Sequence, residues 1–98
     1  MTIQGWDAPI VAAMERLRTA GALIQQRNRA LPEDLRALET AAGEIYAAVA
    51  QRAPAESSPE LDEVRLLAGS LLMAARHCAI ASVSLSDTID RLAELIGG

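Results

Sequence analysis

The longest patterned stretch of the chain begins at Pro59 and ends at Ile96, with Gly69 as its one glycine and no further proline. Apolar and small residues recur in it at alternating steps of three and four: Leu61, Val64, Ala68, Leu71, Ala75, Cys78, Ser82, Leu85, Ile89, Leu92 and Ile96. That spacing puts them on one stripe of an α-helix, as the a and d positions of about five heptads. It predicts one helix over 59–96, roughly 57 Å long at 1.5 Å per residue. Leu66, Leu67, Leu72, Met73, Ala74, Ala79, Ile80 and Ala81 fall on its other faces. A helix apolar nearly all round is expected to be buried nearly all round. The rest of this short chain cannot easily cover it, so the pattern predicts a core finished by another chain, a homodimer.

Two further helices precede it. Residues 1–6 read as a flexible lead. Asp7 can cap a helix over 7–29, with Pro9 in its first turn. Ile10, Met14, Leu17, Gly21 and Ile24 form the inward stripe, and Arg27 and Arg29 suit the negative end of the helix dipole. Leu31-Pro32 marks a break, because a residue before proline is pushed out of the helical region. Pro32 then starts a second helix over 32–53, with Glu33 and Asp34 at its positive end. Its stripe is Leu35, Leu38, Ala42, Ile45 and Val49. Residues 54–58 form a loop, in which Ser58 can cap the third helix; Ser57 with Glu60 is the alternative, as a capping box. Gly97-Gly98 ends the last helix.

Composition supports this all-α reading. Of 98 residues 20 are alanine, and phenylalanine is absent. Alanine and leucine favour helix, whereas an all-β domain would want more aromatic and β-branched residues. Ninety-eight residues make one domain with a thin core. The net charge is −4, and all nine cations are arginine. An acidic chain is a poor ligand for nucleic acid and suits a basic protein partner. Asp7 and Pro9 interrupt any secretory leader at the N-terminus. The apolar run Leu66 to Ala75 is far shorter than the ~20 residues of a membrane span. The expected location is the cytoplasm.

The residues needed for catalysis do not assemble in the sequence. His77 and Cys78 are neighbours, which point about 100° apart on a helix and do not form a base–nucleophile pair. One histidine and one cysteine give no standard metal set. Cys78, at a d position, reads as a small buried apolar residue. Asp87, Asp90 and Glu94 share one outer face and read as solvated charge. Ser70, Ser82, Ser84 and Ser86 have no supporting base. Neither cofactor nor metal is expected. Arg27 and Arg29 could imitate the cationic set of the small all-helical chorismate mutases, but lysine and a matching acid or amide set are missing.

One resemblance sharpens the expectation. Pro32-Glu33-Asp34-Leu35 opens a helix, and Ala42-Gly43-Glu44-Ile45-Tyr46-Ala47-Ala48-Val49 comes near its end. A proline-containing loop follows, then Val64-Arg65, Ser70-Leu71, Met73, Ala75 and Ala79 on a long helix. This order resembles the TraM-type quorum-sensing antiactivators over roughly 31–85, with the segment from Leu35 to Ala42 about two turns shorter. The resemblance implies two long antiparallel helices that dimerise. It also implies non-catalytic inhibition of a LuxR-type transcription factor, which is kept off its DNA. Asp34, Glu44, Tyr46, Arg65 and Met73 are then candidates for the partner surface or dimer seam; Leu67, Leu71 and Cys78 join them as interface candidates on the last helix. The expected fold is an all-α hairpin or bundle of three helices with a long C-terminal helix and a dimeric core. The rival expectations are a secretion or flagellar chaperone-like adaptor and a chorismate-mutase-like enzyme.

Overall fold

Three antiparallel turns, rather than two, organise the chain. The computed structural model describes residues 6–56, 58–80 and 84–97. Four helices follow one another: α1 Ala8–Arg27, α2 Pro32–Arg52, α3 Pro59–Arg76 and α4 Leu85–Ile96. No strand occurs among the described residues. The first two helices lie within a residue or two of their predicted bounds. Trp6, expected in a loose lead, is half-buried against the core, with the Arg52 guanidinium 4.4 Å above its ring centre. Residues 1–5, the alternative cap Ser57 and Gly98 lie outside the described residues.

Each start has a local cause. Pro occupies the first turn of α1, α2 and α3, where its missing N–H is not needed. The Ser58 hydroxyl accepts a hydrogen bond from the Leu61 N–H at 3.1 Å, the expected cap of α3. At α2 the cap is assembled differently. Leu31 has no side-chain acceptor, and the Asp34 carboxylate instead accepts the Leu31 N–H at 3.2 Å. That is the backward-reaching half of a capping box.

The single helix expected over 59–96 is two helices. At the end of α3 the Ala79 N–H donates to the Ala74 carbonyl at 2.7 Å, and the Cys78 N–H to the Ala75 carbonyl at 3.3 Å. This is a Schellman closure, in which the turning residue takes left-handed backbone; here it is Cys78, with φ 54°. Asn28 closes α1 in the same way, with φ 56°. Asparagine tolerates that conformation, whereas an ordinary L-residue there costs about 1–2 kcal/mol. The return is larger. α4 folds back and buries Leu85, Ile89, Leu92, Leu95 and Ile96, each contributing about 1.5–3 kcal/mol when fully buried. A straight helix would leave those side chains outside any core this chain can build.

The register of each pair follows from its contacts. Going up α2, Glu39, Gly43 and Tyr46 meet Arg76, Leu72 and Gly69 going down α3. Arg16 pairs with Glu44 and Arg27 with Asp34, so α1 and α2 are likewise antiparallel. Along α1, Gly21 meets Ile89 of α4, and on α3 Glu63 meets Arg91 of α4. Contacts link α1 to α2, α2 to α3, α3 to α4 and α4 to α1, which closes an up-down-up-down four-helix ring. The bundle measures 39 × 22 × 20 Å. Met14, Leu17, Leu38, Ile45, Val49, Val64, Leu71, Leu92 and Leu95 are fully buried at its centre. Apart from Cys78, which is exposed, the described a and d residues of 59–96 therefore face the core of their own chain, and Ser82 lies outside the described residues.

A candidate protein-binding face on α2 and α3

One side of the apolar girdle remains uncovered. Leu66 is 68% exposed, Met73 49% and Tyr46 37%. Leu66 and Met73 are seven residues apart, two turns along one face of α3, a second stripe beside the buried one. Tyr46 reaches them from α2 because Gly69 has no side chain. A Cβ on Gly69 would lie 3.3 Å from the Tyr46 ring, so the glycine gives the ring room against α3. Leu72, half-buried, continues the floor. The result is a shallow groove along the α2–α3 hairpin with an apolar floor. Arg65 and Arg76 stand at its rim, and Arg76 also reaches Glu39 at 3.5 Å.

Of the residues singled out from the sequence, Tyr46, Arg65 and Met73 come together at this groove. The others do not. Asp34 is 4% exposed, and its carboxylate holds the α1–α2 corner, accepting from Arg27 at 3.0 Å as well as from the Leu31 N–H. Glu44 faces the other side of α2 and pairs with Arg16 of α1. Leu67 is half-buried against the core, and Leu71 is fully enclosed by its own chain. Cys78, expected on a buried seam, is exposed at the turn after α3. Leu66, Gly69, Ser70 and Arg76 complete the groove without having been singled out as interface residues. Their signal was present in the sequence as a stripe, Leu66, Ser70 and Met73, outside the heptad seam.

Electrostatics distinguish the remaining polar clusters from this groove. Arg91 of α4 grips Glu63 of α3 with two hydrogen bonds, 2.6 and 2.8 Å, and reaches Glu94 at 3.0 Å. The hydrogen bond from Arg91 holds the Glu63 carboxyl below its ordinary value of 4.5, and Arg91 is itself pushed up by its two carboxylate partners. Arg27, a candidate for binding a dianion, already has the Asp34 carboxylate as its partner. Among the described residues no cluster of three or more His, Cys, Asp or Glu side chains could hold a metal ion. No described helix is long and apolar enough to cross a membrane.

Comparison of the chain with protein-family models, with curated proteins and with solved structures gave no match. Fold and surface together define the class: a compact all-α four-helix protein with an uncovered apolar groove on one hairpin.

Proposed function

We propose that the protein is a non-catalytic regulator that binds an amphipathic helix of another protein in the α2–α3 groove. The observation that carries this reading is the exposed apolar stripe of Tyr46, Leu66 and Met73. Neighbouring exposed apolar side chains with an arginine rim suit a helix laid into a groove, with anchors spaced by single turns. The chain as a whole carries −4, yet this rim carries Arg65, together with Arg76, which Glu39 also contacts. The chemistry that fits is a helix with an apolar ridge flanked by carboxylates. The proposed owner of that helix, from the TraM-type resemblance of Tyr46, Arg65 and Met73, is a LuxR-type transcription factor. Binding would remove it from DNA stoichiometrically.

The test is a titration of the protein into a complex of the LuxR-type regulator from the same genome with its labelled operator, followed by fluorescence anisotropy. The expected result is release of DNA at near-stoichiometric protein. Leu66→Asp should weaken that release at least tenfold while keeping the helical circular dichroism, because Leu66 carries little of the core. DNA that stays bound at excess protein, or a Leu66→Asp variant as effective as the wild type, overturns the reading.

A further inference from the structure

The floor of the α2–α3 groove contains an oxidisable sulfur. Of the three methionines in the chain, Met14 is fully buried in the core and Met1 lies outside the described residues, whereas Met73 is half exposed and lines the groove. Its thioether is an apolar anchor for a partner helix, and it is also a group that peroxides oxidise. A hydrogen-bond donor stands beside it. Arg76 follows Met73 by three residues, so the two side chains are neighbours on the surface of α3, and both line the groove. The bond from Arg76 to Glu39 is long, 3.5 Å, and open to solvent. An exposed pair of this kind holds its arginine weakly. Arg76 can therefore turn to a stronger acceptor placed at Met73.

We propose that Met73 is a reversible oxidation site whose sulfoxide closes the groove to a partner helix. The sulfur lone pair attacks one oxygen of hydrogen peroxide. An S–O bond forms, the O–O bond breaks, and the second oxygen leaves as water with both protons. The thioether is oxidised to the sulfoxide and the peroxide is reduced. In the return step a methionine sulfoxide reductase releases the oxygen as water while two thiols become a disulfide. The sulfoxide oxygen carries partial negative charge and accepts hydrogen bonds, so it draws the Arg76 guanidinium onto the floor of the groove. A polar pair then stands where one end of the Leu66–Met73 stripe was apolar. A docked helix would have to bury that pair without matching it, which costs binding energy. The core keeps its packing, because Met14 is enclosed. The inference rests on the helix-binding reading of the groove, but the oxidation and the movement of Arg76 are read without any partner.

The test uses the full chain carrying Cys78→Ser, which removes the exposed thiol, with and without Met73→Leu. Each protein is treated with hydrogen peroxide, and peptide mass spectrometry follows the gain of one oxygen at Met73 and at Met14. Met73 should oxidise at least tenfold faster than Met14, with the helical circular dichroism retained. Solvent exchange of the Arg76 Nε–H, followed by NMR, should slow at least threefold on oxidation and recover when methionine sulfoxide reductases restore the thioether. In the DNA-release titration the oxidised protein should act at least tenfold more weakly, whereas Met73→Leu should act equally before and after peroxide. Slower Arg76 exchange, with a loss of release that Met73→Leu prevents, supports the inference. It is overturned by Met73 oxidising no faster than Met14, by unchanged Arg76 exchange, by oxidised protein as effective as reduced, or by an equal loss in Met73→Leu. Reduced protein that never releases DNA overturns the regulator reading instead, and the Arg76 exchange then decides the Met73 site alone.

Discussion

Gly21 and Gly43 are both helix-interior glycines, and their surroundings assign them opposite roles. Replacing either by alanine removes the backbone freedom that makes glycine costly in a helix, a gain of about 1 kcal/mol. At Gly43 the added Cβ would stand 3.7 Å from Leu72 Cδ1, ordinary contact. Gly43→Ala is therefore expected to stabilise the protein by about 0.5–1 kcal/mol. At Gly21 the same Cβ would come 2.6 Å from Ile89 Cδ1, closer than van der Waals contact, so the buried Ile89 would have to shift. Overpacking of this kind costs about 1–3 kcal/mol, so Gly21→Ala should be net destabilising by about 1 kcal/mol. Urea denaturation of the two variants measures the difference, and the reverse order would mean that α4 does not rest on Gly21. Nothing in the sequence separates these two glycines. Each lies on or beside an apolar stripe, and the element that approaches Gly21 comes from 68 positions away in the chain.

The element with the weakest tie to the bundle is α4. It is 12 residues long, joins through a strained turn, and has the Glu63–Arg91 pair as its polar fastening. The folded state holds Glu63 below its ordinary value of 4.5, chiefly through the hydrogen bond from Arg91. The unfolded chain therefore binds that proton more readily than the folded one. The contribution of the pair is complete above about pH 4.5 and is lost as pH falls through the lowered folded value. Hydrogen exchange should show α4 amides losing protection in acid before those of α2 and α3. Glu63→Gln should remove that difference; an acid response unchanged in Glu63→Gln would place its origin elsewhere. The helices themselves were legible, since proline starts, the Ser58 cap and the three-four stripes are local signals. The break after Arg76 was not. Its Schellman closure uses Cys78 where the usual sequence marker is glycine, and the heptad phase continues across it.

At the scale of the whole molecule, the fully buried side chains of all four helices meet in one core, and Leu71 is among them. An unpaired carboxylate there has no partner and no water. Leu71→Asp is expected to cost on the order of 4–5 kcal/mol or more, a large part of the roughly 5–15 kcal/mol that holds a domain together. The variant should lose its cooperative thermal transition instead of remaining a folded monomer. A well-folded Leu71→Asp protein would show that the heptad seam faces outward. The contrast with Leu66→Asp, five residues earlier and expected to fold, separates core from docking face on a single helix.

The sequence by itself determined the all-helical class, the first two helices, the start and end of the last helical stretch, and the stripe that is buried. These follow from local propensity, capping and a period of 3.6, which need no knowledge of distant residues. Tertiary structure decided which neighbour buries that stripe. Periodicity shows that one face of a helix must leave water, but it is equally satisfied by a second chain and by the same chain folded back at Cys78. Folding back won because α1 and α2, about 30 Å long, can cover a bundle of 39 Å but not a helix of nearly twice their length. The same decision left Tyr46, Leu66 and Met73 outside, and so selected the one apolar face of α3 that remains available to another protein.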